Sequence, residues 1–267
     1  MKALLITLAG PMQAWGTRSR FSVRDTQLEP SKSGVIGLIA AALGRRRHEP
    51  LDDLTALRMG VRVDREGRRM RDYHTVGGGT IPRHLLAPYG VKTYGVSRAN
   101  RSGTEPAVTE RHYLADARFL VALAGEKALL LRLIRALREP VFPLFLGRKS
   151  FVPSEPVVPS SGEELAENDS LEGILAEAPW EPAPSDLKYN RATERHEPPP
   201  GHQLRLVLEV ADRTTGDTGE LIASRPDQPL SFLKHNRQFR ERNVRTTFTA
   251  RPVQNWLERQ PPKEVKT

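Results

Sequence analysis

The chain has 267 residues, 41 Lys plus Arg against 32 Asp plus Glu, a net charge of +9 and no cysteine. That length holds one large or two small domains, and the 38% hydrophobic content is enough for a real core. Disulfides and thiolate metal sites are excluded, the positive balance favours a polyanionic partner, and the longest apolar run, Val35 to Leu43, is far too short to span a bilayer. No signal-peptide pattern opens the sequence, so a cytoplasmic location without membrane contact is expected.

The first apolar segment, Lys2 to Leu8, reads as a strand that Gly10 and Pro11 stop, because one is permissive in φ and the other cannot donate to a ladder. The turn that follows carries Gln13 and Trp15, expected on the surface at a strand exit, where an indole could stack on a base and an amide could bond its edge. Next, SKSGVIGLIAAALG (31–44) predicts a helix over Ser33 to Leu43, apolar nearly all round and therefore buried, with Gly34 and Gly37 allowing close approach. Ser31 or Ser33 can cap it, and its first N–H groups would attract a phosphate beside Lys32.

A strand pair is predicted around Leu57 to Val63 and Arg68 to His74, then an irregular stretch from Val76 to Glu110, a strand over Arg118 to Ala124, a helix over Glu126 to Arg138 and an extended segment at Val141 to Phe145. In the second helix Leu130, Leu133, Ile134 and Leu137 share one face. This order, β-α-β-β-α-β, is the split unit of ferredoxin-like and RRM-like folds. After Pro156 the composition changes: 156–200 is proline-rich and acidic, which reads as a loose connector, and 201–267 reads as a small, basic, mainly β region with a strand at Leu204 to Val210. Its stretch Ser231 to Arg251 interleaves Phe232, Phe239 and Phe248 with arginines, a pattern that suits RNA or an acidic subunit, or equally a β subdomain with solvated charges.

Two motifs invite catalytic readings. Gly147, Arg148, Lys149 and Ser150 look like the end of a phosphate-binding loop, but Phe142 stands where the first glycine belongs and Arg148 separates glycine from lysine, so nucleotide hydrolysis is not expected. What remains is a flexible glycine, two cations and a hydroxyl suited to gripping a sugar-phosphate backbone. Asp72, Tyr73 and His74 offer an acid and a base for metal-independent RNA cleavage, yet neighbours on a strand point to opposite faces, which argues for binding. The histidines show no metal-ligand spacing, so neither metal nor cofactor is expected.

Five ordered segments over residues 1–155, LAGPMQAWG, SKSGVIGLIAAALG, RDYHTV, YLADARFLVAL and PLFLGRKSFVP, closely resemble the RAMP superfamily of CRISPR-associated proteins, family five, in its type I-E Cascade branch. The resemblance implies an α+β, ferredoxin-like RAMP domain at 1–155 with a protruding β-hairpin thumb at about 76–112, before the connector and the small C-terminal region. It implies a non-catalytic RNA-binding subunit that holds the 5′ handle of crRNA, docks the repeating backbone subunit and the large subunit, and meets target DNA only through the complex. The expected RNA contacts are Gln13, Trp15, Ser31, Lys32, Ser33, Tyr73, His74, Arg111 and Gly147 to Ser150, with Arg83, Lys92 and Tyr94 on the thumb. The alternative is an endoribonuclease that processes repeat RNA.

Overall fold

The alternation of side chains along strand β1 (Lys2–Ala9) sets the architecture, because both of its faces are apolar and both are covered. In the computed structural model, which describes residues 1–17, 22–76, 107–159, 165–182, 184–191, 195–199, 201–210, 222–233 and 235–249, β1 lies inside a seven-stranded antiparallel sheet. The strands of that sheet are β1, β4 (Arg58–Arg65), β7 (Arg118–Ala124), β8 (Leu165–Glu167), β11 (Arg205–Val210), β12 (Ile222–Ser231) and β13 (Gln238–Phe248). Their order across it is β12-β13-β11-β4-β7-β1-β8.

Leu4, Ile6 and Leu8 pair with Leu123, Val121 and Phe119 and face helices α1 (Lys32–Ala42) and α3 (Lys127–Arg138). Four side chains of α3 are buried there, Leu130, Leu133, Ile134 and Leu137, as their spacing predicts. Each such side chain contributes on the order of 1.5–3 kcal/mol on removal from water. Ala3, Leu5, Leu120, Ala122, Leu206 and Leu208 form the other face, under the short helix α4 (Leu171–Glu177). A short helix α2 (Asp52–Thr55) precedes β4 and buries Leu54 in the first layer.

A second, smaller sheet holds β5 (Arg68–Val76) against β6 (Ala107–Ala115), with the two-residue strands β2 (Met12–Gln13) and β3 (Val23–Arg24) on the other edge of β6. Strands β9 (Lys188–Asn190) and β10 (Arg195–Glu197) form a separate pair.

Expectations change at several points, beginning with the predicted strand pair, since β4 pairs with β7 and β11 while β5 pairs with β6. Residues 141–145 form no strand; the fourth strand of the core unit is β8, antiparallel to β1 through Ala3↔Ala166 and Leu4↔Leu165. The stretch read as a loose connector supplies β8, α4 and Trp180, which is 3% exposed and stacks on His202 at 5.0 Å. The reason is Arg62, a wholly buried guanidinium on β4. It donates to the carbonyls of Leu175, Ala178 and Pro179 at 2.7, 2.5 and 2.7 Å and to Asp64 at 2.6 Å. One side chain thereby satisfies the carbonyls at the end of α4 and fixes that segment to the sheet.

The basic C-terminal strands likewise extend the main sheet, β11 pairing with β4 through Val207↔Val61 and with β13 through Val207↔Thr246. Strand β12 at the sheet's edge contains Pro226 and Pro229 and two register shifts against β13. Residues 211–221, and residues 77–106, which make up most of the stretch expected to form a thumb, lie outside the described residues.

Replacing Arg62 by Ala strands Asp64 and three carbonyls without a donor, and unfolding in urea should show a loss of roughly 3–5 kcal/mol. The double change Arg62→Met with Asp64→Leu, which removes the charges together, should cost far less.

Candidate nucleic-acid interface

The turn after β1 is built inward. Gln13 is fully buried; its Nε2 donates to the carbonyls of Leu8 at 3.0 Å and Ala117 at 2.8 Å, and its Oε1 accepts from Trp15 Nε1 at 3.1 Å. Trp15 is 1% exposed, and a Cβ placed on Gly34 would come within 2.7 Å of its ring. The expected exposed base-stacking pair is therefore corrected: amide and indole satisfy one another beneath α1, where both are almost wholly covered.

The GRKS turn packs against this loop. Gly147 has φ +88°, a conformation costly for residues with a Cβ, and a Cβ there would lie 1.7 Å from the Ala14 carbonyl oxygen. Ala14 N–H donates to the Leu146 carbonyl at 3.1 Å, and Leu146 and Phe151 close the turn through Leu146 N–H to Phe151 O at 2.7 Å and Phe151 N–H to Arg148 O at 2.9 Å. Lys149 and Ser150 are exposed on it.

The helix start is also already occupied. Ser31 caps α1 by accepting from Gly34 N–H at 3.3 Å, and the Lys32 N–H donates to Asp227 at 2.8 Å. The Lys32 ammonium, 1% exposed, bonds both oxygens of Glu209 at 2.9 and 3.0 Å; burial pushes its pKa down while Glu209 opposes the shift. Arg242 completes the network by bonding Asp227 at 2.6 and 3.0 Å. Ser31 is thus corrected from a phosphate contact to the cap of α1, and Lys32 to the group that docks β11 and β12 on that helix. Ser33 remains half-buried at the edge of the adjoining cleft.

What the fold does assemble is a cluster of three guanidiniums. Arg111 on β6 lies in register with Asp72 on β5 and with Arg24 on β3. Arg148 reaches the same place from the GRKS turn, its guanidinium donating to the His112 carbonyl at 2.8 Å and lying 5.3 Å from the centre of the Phe151 ring. Its pKa is lowered first by burial and then by the charges of Arg111 and Arg24, with Asp72 the one opposing charge. Like charges held together in this way favour an anion between them. Beside them opens a cleft of about 320 Å³, lined by Arg24, Asp25, Ser33, Gly147, Arg148 and Arg237 among others.

His74 lies on the ladder face of Asp72, with Nδ1 and Oδ2 3.4 Å apart, whereas Tyr73, 64% exposed, occupies the opposite face opposite Glu110. The β5–β6 pairing runs from Arg68 to Val76 without a bulge, so those faces stay apart. Of the expected contacts, then, His74, Arg111, Gly147 and Arg148 come together, with Lys149 and Ser150 on the same turn, and Tyr73 does not join them. Arg83, Lys92 and Tyr94 lie outside the described residues. Arg24 is the residue that sequence reasoning missed, because its place depends on a two-residue parallel pairing with β6.

The sequence matches the family described as CRISPR-associated protein (Cas_Cas5) over residues 3–245. The chain belongs to the CRISPR-associated Cas5 family. Cas5 relatives include the CRISPR system Cascade subunit CasD of Escherichia coli (strain K12), 34% identical over 165 aligned positions that cover 55% of this chain and 65% of that one. The chain thus spans just under two thirds of the length of this curated relative. Two solved structures share the Cas5 architecture: "Crystal structure of Cas protein", TM-score 0.61 at 38% identity over 92% of this chain and 94% of that one, and "CRISPR RNA-guided surveillance complex", TM-score 0.66 at 33% identity over 92% and 90%. The mixed α/β, sheet-dominated architecture of this Cas5 chain agrees with both.

Two substitutions separate the roles assigned above. Trp15→Ala should lower unfolding free energy by about 3–5 kcal/mol, read as a shift in urea midpoint, as for a core aromatic. Gly147→Ala should displace the GRKS turn from Ala14 and weaken RNA binding more than any change at exposed Ser150, as measured by filter binding.

Proposed function

We propose that this Cas5 chain is a non-catalytic RNA-binding subunit of a type I-E Cascade surveillance complex, holding the 5′ handle of crRNA for antiviral defence. The observation that carries this reading is the convergence of Arg24, Arg111 and Arg148, from two strands and the GRKS turn, around a space with few carboxylates. Guanidinium forks match phosphate oxygens, and a net charge of +9 steers a polyanion toward them. The names of its relatives, a Cascade subunit and a chain of an RNA-guided complex, support the same assignment.

In mechanism, the RNA backbone lies across the guanidinium cluster, with Lys149 and Ser150 gripping the neighbouring phosphate and His74 at the margin. The strand order β4-β7-β1-β8, with α1 and α3 on one face, supports the ferredoxin-like RAMP reading. The β5–β6 ladder would be the stem of the thumb, whose tip residues Arg83, Lys92 and Tyr94 add RNA contacts. The backbone subunit and the large subunit are the protein partners, and target DNA is met only through them, in the cytoplasm. Among the described residues no cluster of three metal-ligating side chains occurs, and no helix is long and apolar enough to cross a membrane. Tyr73 and His74 on opposite faces of a regular ladder favour holding over cutting, since one scissile phosphate would need both.

Binding of handle RNA to the full chain should weaken with salt, with a slope near 0.7 per phosphate neutralised, and Arg148→Gln should reduce that slope by about 0.7 and the affinity about tenfold. A slope unchanged by both Arg148→Gln and Arg24→Gln would remove the site from the RNA path. Incubation with repeat RNA in chelator should yield no 2′,3′-cyclic phosphate; a product lost in His74→Ala would make the chain a ribonuclease.

A further inference from the structure

On the far side of Gly147 from the guanidinium cluster, a groove of about 670 Å³ runs between α1, residues 142–152 and Phe232. Its floor is apolar, formed by Leu38, Ala41, Phe145 and Phe232, and its lips carry Phe142 and Val152, 38% and 57% exposed. Four cations stand around it, Arg46, Arg47, Lys149 and Arg237, all exposed. Among the described residues, no carboxylate lines the groove. A fifth cation at the rim, Arg45, is already held by both oxygens of Asp53.

We propose that this groove docks a segment of a protein partner that is acidic and carries apolar side chains. Charge complementarity selects the sign, because an uncompensated cationic rim around an apolar floor favours an anionic segment that also buries hydrophobic surface. A second copy of this chain, itself +9, is repelled. RNA fits less well: apart from Ser33 and the cations, every lining side chain is apolar or absent, so a base edge finds almost no partner for its donors and acceptors. Arg46 already rests over Phe142, 5.8 Å from the ring centre, which extends the apolar lip with its own stem and leaves its charge at the rim. The inference rests on the reading that the chain works inside a multisubunit complex, and it assigns the groove to protein and the guanidinium cluster to RNA, with Lys149 at their common border and given to the RNA side.

The test places the photo-crosslinking amino acid p-benzoyl-phenylalanine at Val152, in the lip, and assembles the complex with its own guide RNA and partner subunits. Irradiation should join this chain to one partner polypeptide, and sequencing the crosslinked peptide should show net negative charge with apolar side chains. The yield should fall at least tenfold in Arg46→Glu with Arg47→Glu, and in Gly37→Leu. The last change is tolerated by the fold, because a Cβ on Gly37 meets only Phe232, at 3.9 Å, and because leucine favours a helix more than glycine does. RNA affinity of the isolated full chain should stay within twofold in Gly37→Leu and in the Val152 variant, neither of which alters charge. An assembled complex that crosslinks to RNA, to a basic segment or to nothing overturns the groove assignment while leaving the RNA reading in place. A chain that neither binds guide RNA nor assembles overturns the parent reading instead.

Discussion

A single buried amide holds the functional end of the molecule together. Gln13 joins the end of β1 at Leu8 and the indole of Trp15, within its own turn, to the corner before β7 at Ala117, 104 positions away. Unpaired, that amide would cost about 1–3 kcal/mol in the interior. Fully bonded, it sets the height of the loop on which Gly147 rests and over which α1 lies. The guanidinium cluster inherits its geometry from this arrangement, since Arg148 follows Gly147 by one residue.

The polar groups expected to meet a ligand are largely spent inside the protein. Lys32, Glu209, Asp227 and Arg242 form a network that binds the C-terminal strands to the first helix. Glu29 plays a parallel part, joining Arg205 at 2.8 Å and also Arg225. Charged groups this deeply placed repay their desolvation only when paired and bonded, and here they are. The result is one sheet where composition suggests a core followed by an appendage, and it brings Phe232 and Arg237 from the C-terminal region to the edge of both clefts.

Much of the fold was legible because long, regular elements print their period on the sequence. The bounds of β7 and the buried face of α3 follow from alternation and from one-face spacing. Strand β8, three residues long within an acidic stretch, carries no such pattern and exists because the edge of β1 accepts it. The site was half legible. Arg148 and Lys149 stand out beside a glycine, and Arg111 stands in a basic arm. Trp15 misleads because a tryptophan between glycines reads as surface, while the amide two residues earlier draws it inside. Lys32 misleads because its partner Glu209 is 177 positions away. Arg24 leaves no trace, because only its pairing across β6 gives it neighbours.

The borders of the large sheet carry a consequence for how this subunit meets its neighbours. One border is β8, three residues long, and the other is β12, interrupted by two prolines and two register shifts. Neither offers a run of free backbone amides on which another strand could zip. Strand-to-strand pairing with another protein is thus closed off at both borders of the large sheet, and the nine-residue edge of β5 in the smaller sheet is where backbone amides are left for it.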